Sequence, residues 1–257
     1  MSLTRAAIRF AAPLPRIEDF RRCLFIGPHP DDIEIGAGAT AAKLAAAGKE
    51  LCFLICTDGR YGDAHWPAGV GTQELINLRQ EESRRSAALL GVSDVRFLGL
   101  SDGGLYAPEA LWRGIAGVIG DFGPDLIFAP DPRVSSECHA DHLNVGEAAM
   151  RLAYFSPYAG IMAGYGAKAA TVKALALYMT AKPNRYIKTV GYLNRQLEAI
   201  FSCHKSQFPA GCDEAKAISL YLKLRSADYG LRSLMGSAEG FRVLGVTQMH
   251  CLPEAGD

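Results

Sequence analysis

From Cys23 to about Val134 the chain switches repeatedly between short uninterrupted apolar runs and longer stretches in which apolar and polar positions mix. Runs of four to seven apolar residues bounded by turn formers read as buried strands, and the mixed stretches between them read as helices, so the segment predicts β-α units around a parallel sheet. The expected strands are Cys23–Ile26, Leu51–Thr57, Val95–Leu98 and Leu126–Ala129, with another at Leu175–Met179. Gly, Pro and Asp follow most of the early runs, which gathers polar chemistry at the carboxyl ends of the strands, where open α/β sheets place their active sites. Helices are expected over Thr40–Ala47, stopped by Gly48, and over Glu74–Leu90, stopped by Gly91, because glycine tolerates the left-handed conformation that ends a helix. A further helix is expected from His142 to about Tyr154, and others over Leu193–Cys203 and Asp213–Leu224. Ser156–Ala170, with little periodicity, reads as a loop or lid. The expected fold is therefore α/β: a Rossmann-like, mostly parallel sheet with helices on both faces, and residues 1–257 form one domain of a size that such sheets reach without splitting.

Charge narrows the class of partner. Lysine and arginine number 27, as do aspartate and glutamate. Such a balance produces no overall positive field of the kind that draws a protein onto nucleic acid. The halves differ, with 14 basic and 20 acidic residues in 1–150 against 13 and 7 in the remainder. Subunit contacts, an anionic substrate or a chance distribution on a solvated surface all account for that asymmetry. Seven scattered cysteines with no C-x-x-C pair read as reduced, mostly buried thiols. No secretory leader pattern and no apolar run of ~18 residues is present, so a cytoplasmic protein without a membrane partner is expected.

Candidate chemistry lies in two clusters. The first follows the first strand: Gly27-Pro-His29-Pro30-Asp31-Asp32. Pro30 drives His29 toward an extended backbone, and the turn at Asp31 and Asp32 aims two neighbouring carboxylates in different directions. Two like charges beside a histidine are costly to bury unless a cation neutralises them. The alternative is that one aspartate merely caps the helix that follows. The second cluster is His139-Ala-Asp-His142, whose two histidines can share one side of a helical turn. One histidine and one aspartate from the first cluster with one histidine from the second would complete the three-ligand set of a catalytic zinc site, which keeps one position open for water.

These residues resemble the PIG-L/LmbE-like family of zinc-dependent N-acetylglucosaminyl deacetylases, and His29-Pro-Asp-Asp-Ile-Glu-Ile-Gly-Ala-Gly-Ala-Thr40 looks especially like its bacillithiol-pathway branch. Further matching stretches are Thr57-Asp-Gly59, Ser101-Asp-Gly103, His204-Lys-Ser-Gln207 and Ala238-Glu-Gly-Phe241. The resemblance implies that His29, Asp32 and His142 hold Zn2+, that Asp31 is the general base, and that His139 assists the tetrahedral intermediate with Asp141 orienting it. It also implies that Arg79 and Asp102 contact the sugar, although a surface ion pair and a turn residue are the plainer readings of those two. Ala140 stands where proline is frequent in the family, which removes rigidity and no ligand. The implied reaction is hydrolysis of the N-acetyl group of an N-acetylglucosamine-type conjugate, a small-molecule substrate, by a homo-oligomeric enzyme.

Tyr61, His65, Tyr154 and Tyr158 are further candidates for polarising the substrate carbonyl, and His204 for lining the pocket; His250 stands outside every motif. Gly36-Ala-Gly38 superficially matches a dinucleotide-binding turn, but the metal-type sequence just upstream argues against a nucleotide. Two other functions use the same ligands: a metal-containing sugar-binding protein without turnover, and a non-haem Fe(II) oxygenase, whose two-histidine-one-carboxylate site usually sits on a β-barrel.

Overall fold

In the computed structural model, residues 8, 10–62, 65, 66, 69, 71–250 and 252 are described. Seven strands form one sheet: β1 (Arg22–Gly27), β2 (Glu50–Thr57), β3 (Asp94–Leu100), β4 (Leu126–Pro130), β5 (Ala174–Tyr178), β6 (Arg185–Lys188) and β7 (Ala238–Gly245). Their order is β3-β2-β1-β4-β5-β7-β6. The first five run parallel, whereas β7 is antiparallel to both β5 and β6. The α/β architecture and its mostly parallel sheet follow the sequence pattern; the antiparallel edge carries no comparable signature.

Alternation along the strands divides the core between the two faces. Phe25, Phe53, Phe128 and Val243 point to one side, where Phe25 stacks on Phe128 at 4.1 Å between ring centroids. Leu24, Ile26, Leu54, Ile127 and Leu175 point to the other. The first face is covered by α1 (Asp32–Ala46) through Ile33, Ala37, Ala41 and Leu44, and by α2 (Thr72–Leu89) through Ala87. The second is covered by α3 (Pro108–Phe122) and α4 (Ala140–Phe155). After them come α5 (Ala159–Gly164), α6 (Leu193–Glu198), a π turn at 199–203 and α7 (Asp213–Ser233). Among the described residues no helix is long and apolar enough to cross a membrane.

Several boundaries differ from the sequence reading, each for a physical reason. Helix α3 was not among the expected elements, although Leu111, Ile115, Ile119 and Phe122 bury one stripe between Pro108 at its start and Gly123 at its end. Helix α7 continues past Leu224 to Ser233. The stretch Ser156–Ala170 is no lid: it contains α5, and the fully buried Met162 plugs it into the second core. Of the cysteines, Cys23, Cys52, Cys56 and Cys203 are buried free thiols, Cys138 is exposed and Cys212 half-buried, while Cys251 lies outside the described residues, as do residues 1–7.

The largest difference is in α1, which begins at Asp32 and not at Thr40. It breaks at Ala37 (φ −150°, ψ 16°), and side chains from the C-terminal part meet backbone groups on both sides of the break. The Glu239 carboxylate of β7 accepts the N–H groups of Ala39 (3.2 Å) and Thr40 (2.7 Å). Gln196 donates to the Glu34 carbonyl (2.7 Å), and Arg225 donates to that of Ile35 (3.0 Å). Gly36 and Gly38 serve this packing. A Cβ on Gly36 would lie 2.2 Å from the Tyr178 ring, and one on Gly38 2.9 Å from Gln196. Tyr178 cannot yield, because it is fully buried and its hydroxyl donates to the Ile26 carbonyl at 2.7 Å. Gly36→Ala is therefore expected to lower unfolding stability by about 1–3 kcal/mol through overpacking, read as a shift in the urea midpoint at unchanged m-value.

Candidate active site

The strand order reverses between β1 and β4, and the loops leaving their carboxyl ends meet over that crevice. The β1 loop carries His29, Asp31 and Asp32; the chain after β4 carries His139, Asp141 and His142; the loops after β2 and β3 close the sides. Residues more than a hundred positions apart are thus brought within hydrogen-bonding distance.

Asp32 is the hub. Its Oδ2 accepts the His29 backbone N–H at 2.9 Å, and the same oxygen lies 2.9 Å from His29 Nδ1 and 3.3 Å from His142 Nε2. Neither aspartate caps α1 through its side chain. Asp31 occupies the cap position at φ 102°, a left-handed conformation that a non-glycine residue adopts only under constraint, and makes no capping hydrogen bond. That turn separates the two carboxylates: Asp32 faces the histidines, whereas Asp31 lines the pocket beside Arg79, whose guanidinium is 3.6 Å away.

The far nitrogen of each histidine also faces a carboxylate. His29 Nε2 is 3.0 Å from Asp141 Oδ2, and Asp141 is itself fixed by the N–H groups of Gly103 (2.7 Å) and Gly104 (2.8 Å). His142 Nδ1 lies 3.3 Å from Glu137 Oε2 without closing a hydrogen bond, and Glu137 also accepts the His139 N–H at 2.8 Å. Glu137 was not singled out from the sequence, where it has no distinctive spacing. The expectation that Asp141 orients His139 meets a different geometry: its carboxylate is committed to His29, and His139 Nδ1 is 3.8 Å from it. What Asp141 gives His139 is its backbone N–H, donated to Nδ1 at 3.3 Å. A ring that accepts at Nδ1 carries its proton, when neutral, on Nε2.

Electrostatics follow from this crowding. Burial and the neighbouring Asp32 charge push Asp31 up to about 7. Burial alone would raise Asp32 too, but His142 and His29 hold it well below the ordinary carboxylate range. His29 overcomes its own burial through hydrogen bonds to Asp141 and Asp32 and rises to about 10. Positive charge on the histidines is thus what this cluster favours, and a cation can supply the same compensation.

Two trios offer atoms within 4.8 Å of one another: His29, Asp32 and His142, and His29, His139 and Asp141. The donor chemistry favours the first. Its members are largely enclosed, its nitrogen and oxygen donors suit a transition-metal dication, and both imidazoles have an outer carboxylate, Asp141 for His29 and Glu137 for His142, of the kind that orients metal-ligating histidines. The second trio has to use Asp141, already bound by two backbone N–H groups, and His139, about half exposed.

An open pocket of about 270 Å3 lies beside this cluster. His29, Asp31 and His139 line one part, and Tyr61, Arg79, Asp102 and Gln207 line another. Asp102 does more than turn the chain, since its two oxygens accept the N–H groups of Gly59 (2.8 Å) and Tyr61 (3.0 Å) and hold the β2 loop over the pocket. Arg79 is buried and belongs to no surface ion pair; it donates to the carbonyls of Gly59 (3.0 Å) and Pro30 (3.2 Å), tying that loop to the β1 loop. Gly62 is needed for this, because a Cβ there would stand 1.9 Å from the guanidinium.

Of the weaker candidates, Tyr61 lines this pocket. Tyr158 packs with Tyr154, which also contacts His250. His65 is exposed and outside the pocket lining. His204 is fully buried behind the site, its Nε2 3.2 Å from Glu34 Oε1. The segment that carries it is anchored by Glu82, which accepts the Ser206 N–H (2.9 Å) and hydroxyl (2.5 Å) and so presents Gln207 to the pocket.

Comparison with known proteins shows the family. Residues 24–153 match the family described as PIG-L, GlcNAc-PI de-N-acetylase. The chain is 31% identical over 242 residues to a diacetylchitobiose deacetylase of Thermococcus kodakarensis, an alignment covering 92% of this chain and 88% of the relative. It is 32% identical over 169 residues to a 1D-myo-inositol 2-acetamido-2-deoxy-alpha-D-glucopyranoside deacetylase of Kineococcus radiotolerans, covering 54% of this chain and 46% of that protein. Among solved structures, an N,N'-diacetylchitobiose deacetylase of Pyrococcus horikoshii superposes with a TM-score of 0.86 at 29% identity, over 98% of this chain and 97% of the other.

The outer carboxylate on His142 can be tested apart from catalysis. Glu137→Gln is expected to weaken divalent-cation binding about 10–100-fold, measured by competition with a chromophoric chelator, while the circular dichroism of the metal-free protein stays unchanged.

Proposed function

This chain belongs to the GlcNAc-PI de-N-acetylase (PIG-L) family of N-deacetylases, and from that premise we propose that it removes the acetyl group of a small N-acetylglucosamine-type conjugate with zinc held by His29, Asp32 and His142. The observation that carries the reading is the division of labour at Asp31-Asp32: one carboxylate faces the two histidines, and its neighbour faces the pocket with a raised proton affinity. A structural metal site has no use for that second carboxylate, which argues against a binding protein without turnover. The parallel α/β sheet likewise replaces the barrel that an Fe(II) oxygenase of this ligand set usually uses.

A zinc ion in such a site supplies Lewis acidity, bringing the pKa of a bound water from 15.7 to about 7, or roughly 12 kcal/mol of ionisation free energy. The residues provide the rest. Asp31 takes the proton from the attacking water as a new bond forms to the acetyl carbon. His139, with its proton on Nε2 because Nδ1 accepts from Asp141, donates toward the developing oxyanion. Asp31 then returns its proton to the amine nitrogen as the C–N bond breaks, so acetate and a free amino sugar leave. Asp141 serves this scheme by fixing His29 as well as by setting the His139 tautomer. Arg79 and Asp102 hold the pocket wall, and their place in its lining supports a role in contacting sugar hydroxyls.

Because the chitobiose deacetylase matches nearly the whole chain, a diacetylated disaccharide heads the candidate substrates. Acetate release from N,N'-diacetylchitobiose and other N-acetylated sugars, assayed on metal-stripped protein before and after zinc is restored, is expected to reappear with zinc. Asp31→Asn is expected to retain zinc and lose about 10²–10⁴-fold in kcat. Hydrolysis at the original rate by the zinc-loaded variant would show that Asp31 is not the base.

A further inference from the structure

The pocket beside the metal cluster is too small for a whole conjugate. At about 270 Å3 it lies under the roughly 300–1,000 Å3 of sites that enclose a complete small ligand, so with the acetylated sugar inside, the group attached to that sugar has to lie across the mouth. Two side chains stand there. Tyr61 is 58% exposed although it lines the pocket, and no hydrogen bond from a described residue holds its hydroxyl. Gln207 is half-buried and comes from a distant part of the chain, with its Oε1 so close to Gly62 that an added Cβ would stand 2.9 Å from it. Both residues are held from behind by buried carboxylates. Asp102 accepts the Tyr61 N–H at 3.0 Å, and Glu82 accepts the N–H and hydroxyl of Ser206, the residue before Gln207. Neither contact uses the Tyr61 ring or the Gln207 carboxamide, so two positioned groups face the opening with their binding surfaces free.

We propose that Tyr61 and Gln207 form a subsite for a second, uncharged sugar ring and thereby set the substrate preference of the deacetylation proposed above, on which this inference rests. The face of a tyrosine ring takes the apolar C–H face of a pyranose, and a carboxamide both donates to and accepts from its hydroxyls. The same pair is a poor match for a carboxylate or phosphate, which calls for a guanidinium fork or an ammonium group. Among the described lining residues the one arginine or lysine is Arg79, and it is already committed to the carbonyls of Gly59 and Pro30 and lies against Asp31. Arg60, next to Tyr61, has its guanidinium against Asp58, with Nε 3.0 Å from each carboxylate oxygen. Polarisation of the substrate carbonyl, the other role open to Tyr61, needs a hydroxyl fixed before reaction. His139 has its proton placed by the Asp141 N–H, whereas no described residue orients the Tyr61 hydroxyl.

Calorimetric titration of the zinc-loaded Asp31→Asn protein is expected to show N,N'-diacetylchitobiose binding about 10-fold more tightly than either N-acetylglucosamine or N-acetylglucosamine 1-phosphate. Adding Tyr61→Ala is expected to bring the disaccharide-to-monosaccharide ratio within about twofold of one, and adding Gln207→Ala to lower it about threefold, whereas Tyr61→Phe keeps it. A disaccharide that binds no more tightly than the monosaccharide, or a preference that survives Tyr61→Ala, overturns the subsite. Tighter binding of the phosphate than of the disaccharide overturns its selectivity for an uncharged ring, and loss of the preference in Tyr61→Phe overturns the stacking role. Because binding is read without turnover, these outcomes are separate from a failure of the wild-type protein to release acetate, which overturns the deacetylase reading.

Discussion

The site is organised around one oxygen atom. Asp32 Oδ2 receives a backbone N–H and faces a nitrogen of each of two histidines that arrive from opposite halves of the family domain. A carboxylate surrounded in this way remains ionised although it is buried, because the partners that hold its charge cost nothing further to orient. The surrounding carboxylates extend the same constraint outward: Asp141 fixes His29, Glu137 stands against His142, and two backbone amides fix Asp141. Negative charge at this density is tolerable in a protein interior when protons or a dication offset it. That requirement links a hydrogen-bonding pattern to a metal-dependent chemistry.

The helix that carries Asp32 is kinked close to the chemistry. The helix that starts at Asp32 breaks five residues later, and a break in a buried helix leaves polar groups without partners unless others are brought to them. Glu239, Gln196 and Arg225 bring them, from three separate elements of the C-terminal part. The antiparallel edge of the sheet therefore has a structural role in the site: β7 carries Glu239, and the neighbouring β5 ends in the Tyr178 ring that requires Gly36. These contacts explain why motifs that carry no reacting group are embedded in the sequence beside those that do.

The pocket wall shows the same economy. Arg79 and Asp102 hold the start of the loop after β2 by the backbone groups of Gly59 and Tyr61, so two buried charges fix this part of the pocket wall. Tyr61 and Gln207 stand at the rim of this wall. In enzymes of one fold that act on different conjugates, rims of this kind are where substrate preference is set.

By itself the sequence determined the parallel β-α core, because short buried strands and glycine-stopped helices leave a local signature of period and punctuation. It also determined which residues form the two chemical clusters, because His29-Pro-Asp-Asp32 and His139-Ala-Asp-His142 are compact and contiguous. Only the tertiary structure decided the partners. That Asp141 holds His29 and gives His139 only its backbone N–H, that Glu137 faces His142, and that Arg79 braces two loops from a buried position depend on distances between segments tens to more than a hundred residues apart. The antiparallel strands, the kink and the extent of α7 were hidden for the same reason. Each is stabilised by long-range hydrogen bonds and packing that override local propensity, and no local pattern encodes an interaction whose partner lies elsewhere in the chain.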